Sequence, residues 1–144
     1  MSLWAGIERR FMQFHEALYV RTDGRVGHRL IGVPTLLLRT NGRRTGLPRT
    51  AALVYAQDGG CYVLVASNHG YDRPPGWFVN LQADARVTVQ VGRVWVVGIA
   101  AVVSEEDPDY ERLWKLVNLT NHDRYDRYQS RTARPIPLVV VRPG

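Results

Sequence analysis

Pro34-Thr-Leu-Leu-Leu-Arg-Thr-Asn-Gly-Arg-Arg-Thr-Gly-Leu-Pro-Arg-Thr-Ala-Ala-Leu-Val-Tyr55 decides the fold. Two apolar runs, 34–38 and 51–55, flank a stretch that no core would choose. Residues 39–50 hold four arginines, three threonines and an Asn-Gly dipeptide. Asn41-Gly42 is a hairpin signal, because both central positions of the favoured two-residue turn need positive φ. The expectation is a ribbon of two strands, 35–40 and 48–56, with guanidinium forks, hydroxyls and backbone N–H groups at its tip. Guanidinium meets phosphate or carboxylate oxygens in a bidentate way that an ammonium does not. The tip reads as an anion-binding turn, against the plainer reading of a solvated basic hairpin. It is no nucleotide-hydrolase phosphate loop: Gly42 and Gly46 lack the spacing, and no Gly-Lys-Ser/Thr follows.

The 144 residues are most simply one domain, 1–144, with a formal net charge of +6 carried almost entirely by arginine, since Lys115 is the only lysine. Such a surface suits nucleic acid, an acidic membrane or an anionic small ligand. Nucleic acid is the poorest of these, because the tyrosines and tryptophans do not interleave with the arginines as stacking platforms would. Cys61 stands alone, which rules out an intrachain disulfide, and His15, His28, His69 and His122 have no metal-ligand spacing. The apolar runs fall short of the roughly 20 residues that span a bilayer, and Glu8, Arg9 and Arg10 break any signal-peptide layout. The expected location is the cytoplasm, with peripheral contact to a membrane left open.

Along the chain, Leu3, Trp4, Ile7, Phe11, Phe14 and Leu18 recur at helical spacing, an amphipathic helix over 1–20 that would lie on the domain, on a partner subunit or on lipid. A Gly-rich basic connector covers 22–32. After the ribbon, Asp58-Gly59-Gly60 turns the chain into an apolar strand, 61–67, expected to be central and covered on both faces. An irregular loop, 68–75, leads to a short helix, 76–81, with Pro75 in its first turn. Strands follow over 86–91 and 94–103, joined at Gly92-Arg93. Asp107-Pro108 reads as cap and first-turn proline of a helix with Tyr110, Leu113, Trp114 and Val117 on its apolar side. A polar, tyrosine-bearing segment, 118–134, precedes a last strand, 135–141. Hairpin connections imply antiparallel pairing, and six such strands with one apolar face close most simply into a small barrel. The fold class expected is α+β, mainly β: a six-stranded antiparallel split barrel with flanking helices.

Four segments together carry a family resemblance: Thr40-Asn-Gly-Arg-Arg-Thr-Gly-Leu-Pro-Arg49-Thr50, Val65-Ala-Ser-Asn68, Trp77-Phe-Val-Asn-Leu81, and Tyr125-Asp-Arg-Tyr-Gln129 with Pro135-Ile-Pro-Leu-Val. In this order they resemble the deazaflavin-dependent nitroreductase or quinone reductase family of split β-barrel proteins, which use coenzyme F-420. The resemblance covers nearly the whole chain from about residue 36. It implies hydride transfer from the reduced deazaflavin to an unsaturated small molecule, most naturally a quinone, with nitroaromatics and enones as further acceptors. The alternatives are a non-catalytic deazaflavin carrier, or a barrel of the same type that binds FMN.

By the same resemblance, Arg43, Arg44, Thr45 and Arg49 hold the coenzyme's anionic tail, while Ala66, Ser67 and Asn68 lie along its ring. Trp77 and Asn80 buttress the pocket, and Tyr125 and Tyr128 stand over the substrate side. Hydride arrival on a quinone leaves an oxyanion that must be hydrogen-bonded or protonated, and Ser67, Tyr125 and Tyr128 are the catalytic candidates. Each has a plainer reading: Ser67 as a strand end, Trp77 as core, the two tyrosines as one packed helix stripe. A homodimer is expected by the same analogy. Two positions depart from the family pattern, Asn68 where lysine is common and His122 where some members have tyrosine. Both put the identity of the acceptor in doubt more than the choice of cofactor.

Overall fold

Leu36 and Leu38, from the opening apolar run, lie fully buried in a sheet in the computed structural model, which describes residues 33–144. The amphipathic segment 1–20 and the connector 22–32 lie outside the described residues. The strands are β1 (Thr35–Asn41), β2 (Pro48–Val54), β3 (Ala56–Asp58), β4 (Cys61–Val65), β5 (Arg86–Val91), β6 (Val94–Val103) and β7 (Leu138–Pro143). The helices are α1 (Gly76–Ala83), α2 (Tyr110–Thr120) and α3 (Arg124–Gln129). All strands join one antiparallel sheet in the order β2-β1-β5-β6-β7-β4-β3.

Among the described residues seven strands replace the six expected, and Tyr55 is the reason. The run 48–56 is one strand by pattern, yet Tyr55 leaves the ladder: its N–H donates to Pro34 O at 3.1 Å and its ring meets Tyr62 edge-on at 5.6 Å. On either side of this break the chain serves different neighbours. β2 pairs with β1, and β3 pairs with β4. Because β2 and β3 are the two ends of the strand order and Tyr55 alone separates them, the sheet comes round on itself. That is a split barrel, mainly β with flanking helices.

Alternation along β4 divides the interior in two. Leu64 points into the barrel with Leu36, Leu38, Val87, Val89, Val139 and Val141, and α1 adds Phe78 and Leu81 from one end. Val63 and Val65 point the other way, under Leu113 and Val117 of α2 and Tyr125 and Tyr128 of α3. The strand is therefore covered on both faces, as its unbroken apolar run requires. Among the described residues no helix is long and apolar enough to cross a membrane.

Several local expectations need correction. Asn41-Gly42 is not a two-residue turn: Asn41 is the last residue of β1, opposite Pro48, and its side chain donates to Asp84 Oδ2 at 2.9 Å. The loop runs from Gly42 to Leu47, closed by Gly42 N to Leu47 O at 2.8 Å, and the left-handed residue is Gly46 at φ 72°. Gly42 is there for close approach, since a Cβ would lie 3.0 Å from Leu47 O. Pro75 is the residue preceding α1 and not in its first turn. Asp109, not Asp107, precedes α2, and Asp107 instead accepts from Asp109 N at 2.9 Å. The last strand is 138–143, three residues later in its start than the run 135–141, because two prolines cannot donate to a ladder.

Leu64 is fully buried, so Leu64→Ala removes wall from the barrel core and should cost about 2–5 kcal/mol, read as a lower urea midpoint with an unchanged slope.

Candidate active site

The site begins with the buried amide of Asn80, 4% exposed on α1. Its Nδ2 donates to Thr40 Oγ1 on β1 at 3.2 Å, and its Oδ1 accepts from Arg43 N at 3.2 Å and Arg43 Nη1 at 2.9 Å. One side chain thus ties helix, strand and basic turn together. Arg43 is turned toward the protein by this pairing. Arg44 and Arg49 are exposed, and their guanidinium groups have no hydrogen-bond or ion-pair partner among the described residues. Thr45 Oγ1 accepts from Leu47 N at 3.2 Å. These residues, with Gly42, Thr50, Ala51, Gly76 and Trp77, line a cavity of about 370 Å³ whose charge is wholly positive.

A second cavity, about 270 Å³, opens on the other side of Trp77. Leu53, Val54, Val65 and Trp77 form its apolar wall, and Ser67, Asn68, His69, Asn121, Arg124, Tyr125 and Tyr128 its polar one. Trp77 lines both and successive residues of β2 line one and then the other, so the two spaces are neighbours. Ser67 is buried, and its hydroxyl has no hydrogen-bond partner among the described residues. Asn68 takes the left-handed conformation at φ 45°, with its side chain donating to Arg73 O at 2.9 Å.

Tyr125 and Tyr128, 6% and 5% exposed, stand edge to face with ring centres 6.2 Å apart. Burial pushes the Tyr125 phenol well above the ordinary tyrosine range; the Asn121 side chain hydrogen-bonded to it and the nearby charge of Arg124 oppose this, while Tyr128 adds to it. Helix α3 is held for this task by polar ties. Trp114 Nε1 donates to Asp126 Oδ1 at 2.7 Å, Asn118 Oδ1 accepts from Asp126 N at 3.0 Å, and Gln129 Oε1 accepts from Ile136 N at 2.9 Å.

All but one of the residues expected around a pocket therefore gather here in two groups: Arg43, Arg44, Thr45, Arg49 and Asn80 at the basic cavity, and Ser67, Asn68, Tyr125 and Tyr128 at the other, with Trp77 lining both. Ala66 is fully buried just behind Ser67 and lines neither. Of the two departures, Asn68 reaches the cavity, whereas His122 is exposed and outside its lining. Sequence reading missed His69, Asn121, Arg124 and Arg134. Asn121, Tyr125 and Tyr128 fall at i, i+4 and i+7, a helical face that could have signalled the first of these. Arg134 left no local sign. Its Nη2 donates to Ala66 O at 3.1 Å and Ser67 O at 2.9 Å, and its Nε to Tyr71 O at 2.9 Å, fixing the strand end that carries Ser67.

Two outcomes follow from this geometry. Arg134→Met strips charge-assisted partners from three carbonyls and should cost about 1–3 kcal/mol, with hydrogen exchange of the 68–71 amides rising more than that of β1. The Tyr125 phenol, raised in the fold from its ordinary value of 10.0, keeps its proton when unfolded tyrosine has lost it. Its contribution to stability is complete below pH 10 and declines as pH rises beyond that value toward the folded pKa. Tyr125→Phe should flatten that alkaline loss in a pH series of thermal melts.

The chain matches the F420H(2)-dependent quinone reductase family over residues 11–143. An F420H(2)-dependent quinone reductase of Mycobacterium tuberculosis (strain ATCC 25618 / H37Rv) is 49% identical over 133 residues, covering 92% of this chain and 89% of that one. Among solved structures, an F420-H2 dependent reductase superposes with a TM-score of 0.68 at 32% identity, over 76% of this chain and 94% of the other. A chain described as a domain-swapped dimer superposes at 0.70 and 26% identity, over 94% and 99%. The chain belongs to the F420H(2)-dependent quinone reductase family, oxidoreductases that use reduced coenzyme F-420.

Proposed function

We propose that this chain moves a hydride from reduced coenzyme F-420 to a quinone-type acceptor, with the coenzyme's tail on the arginine turn and its ring beside Trp77. One observation carries the reading: a cavity whose described charged residues are all basic adjoins a hydroxyl-lined one at Trp77. A ligand with an anionic chain and a flat redox ring has that layout. The residues fit the group chemically, because Arg44 and Arg49 have no carboxylate partner among the described residues to neutralise them. Arg44, Thr45 and Arg49 would hold the tail, Arg43 the turn itself. Ser67 and Asn68 would border the ring, with the buried Ala66 behind them and Trp77 and Asn80 as its support.

The bound coenzyme supplies the hydride, so the protein's work is orientation, water exclusion and charge stabilisation. Leu53, Val54, Val65 and Trp77 keep water from the reacting face. Negative charge that develops on an acceptor oxygen meets the hydroxyls of Ser67, Tyr125 and Tyr128. Tyr125 stays protonated, and so able to donate, because burial raises its pKa, while its hydrogen bond with Asn121 acts in the opposite direction. The Arg124 guanidinium, without a partner among the described residues, adds positive potential at the same wall.

A homodimer belongs to the same proposal. Trp95, Val97 and Ile99 alternate along β6 and are 43%, 55% and 52% exposed, an apolar strip that a second copy would cover. The lone Cys61 suits a reducing cytoplasm, and peripheral membrane contact through residues 1–20 completes the picture proposed here.

Arg49→Ala tests the reading most directly. Loss of one charge-assisted contact should weaken coenzyme binding by about 1.5–3 kcal/mol, while the thermal midpoint stays put. Unchanged affinity would move the tail elsewhere, and an unfolded variant would make the arginine structural. Added salt should weaken the wild-type complex, because the turn is exposed and its charges are screened beyond about 10 Å at 0.1 M.

A further inference from the structure

His69 is a histidine in a backbone conformation that side chains rarely adopt, φ 58° and ψ 21°, at the lip of the acceptor cavity. Left-handed residues other than glycine cost of order 1–3 kcal/mol each and persist where the surroundings over-determine them. Here the surroundings do so from α3 and the chain after it. Arg131 Nη1 donates to His69 O at 3.2 Å, and Arg134 holds Tyr71 O at 2.9 Å. Thr132 Oγ1 donates to Asp72 Oδ1 at 2.8 Å. Gly70, at φ 81°, lets the loop press against α3, since a Cβ there would lie 2.6 Å from Tyr128 O. The imidazole meets Tyr128 edge-on at 5.7 Å and Tyr71 at 6.4 Å.

The reaction leaves a demand that the other groups meet poorly. A quinone that takes up a hydride, with its two electrons, becomes a hydroquinone monoanion and lacks one proton. Tyr125 keeps its proton in this buried setting, the alcohol of Ser67 is no acid at neutral pH, and Arg124 never deprotonates. Among the described residues lining the cavity, His69 alone has a side chain that ordinarily exchanges a proton between pH 5 and 8. We propose that His69 is the proton donor to the reduced acceptor: an imidazolium N–H bond breaks, an O–H bond forms on the hydroquinone, and water returns the proton to the ring. The charged and titratable groups about it are Tyr71, Tyr128, Tyr125, Arg124, Arg131 and, three residues along, Asp72. The inference rests on the quinone reductase reading.

The test compares wild type, His69→Gln and His69→Gly, each loaded with reduced coenzyme, without oxygen and with 2-methyl-1,4-naphthoquinone as acceptor. Glycine suits φ 58° without strain, so the second variant keeps the fold while removing the imidazole. Expected is a fall in kcat of about 10²-fold or more in both variants, within the range for a lost general acid, with coenzyme affinity unchanged. Wild-type kcat should decline on the alkaline side, and that decline should vanish in His69→Gln; titration of the coenzyme is common to both. In the protein without coenzyme, the corresponding hydroquinone should shift the His69 imidazole NMR signal, identified by its loss in His69→Gln. Variants that keep the wild-type kcat and pH profile, or a signal that does not move, overturn the proposal. A wild type that binds coenzyme but leaves the naphthoquinone unreduced sinks the quinone reading itself, a different result from the first.

Discussion

The side-chain amide of Asn80 is the constraint on which the site depends. It sits 4% exposed and meets Thr40 on β1, the main chain of Arg43 and the Arg43 guanidinium. A buried amide left without partners costs about 1–3 kcal/mol, so the three elements are held in one relative placement by a shared penalty for coming apart. That placement puts Trp77, three residues earlier on α1, between the basic cavity and the hydroxyl-lined one. A hydrophobic contact would have held the helix on the barrel, but it is non-directional and would not have set the angle of the turn.

The electrostatics divide in the same way. Where an arginine serves the fold at the surface it has an acid: Arg112 grips both oxygens of Asp58, at 2.8 and 3.1 Å, and this exposed pair lowers the carboxyl's pKa through its hydrogen bond with the guanidinium. Arg44 and Arg49 have no such partner among the described residues, although thirteen acidic residues are available in the chain. Uncompensated cations at a concave surface raise the local potential toward anions. Exposed Arg131 and half-buried Arg134 follow a third pattern, donating to carbonyls. Arg134 and Arg131 bind Ala66, Ser67, His69 and Tyr71 through oxygen atoms that would otherwise have no ladder to join. A loop of irregular backbone is made rigid by side chains from a distant segment, and its left-handed residues Asn68, His69 and Gly70 are thereby sustained.

Expectation and structure part company at identifiable residues. The strand at 48–56 breaks at Tyr55 because closing the sheet requires the chain to change partners there, and no periodicity marks a change of partner. The Asn41-Gly42 pair carries a genuine turn preference, yet the ladder continues through Asn41 because its side chain finds Asp84 across the sheet end. In both places a local tendency gave way to a long-range contact.

Strand order along the chain, the apolar core positions, the glycine turns at 59–60 and 92–93, and the anion-seeking chemistry of residues 39–50 were all determined by the sequence itself. These are properties of neighbouring residues, set by side-chain period, backbone freedom and charge. Only the tertiary structure decided which groups share a cavity. Asn80 meets Thr40 across 40 residues and Arg134 meets Ala66 across 68, and a hydrogen bond between such distant positions leaves no periodic trace in the chain. The same holds for His69, whose place in the second cavity follows from a backbone twist held by the residues after α3, and not by its own neighbours.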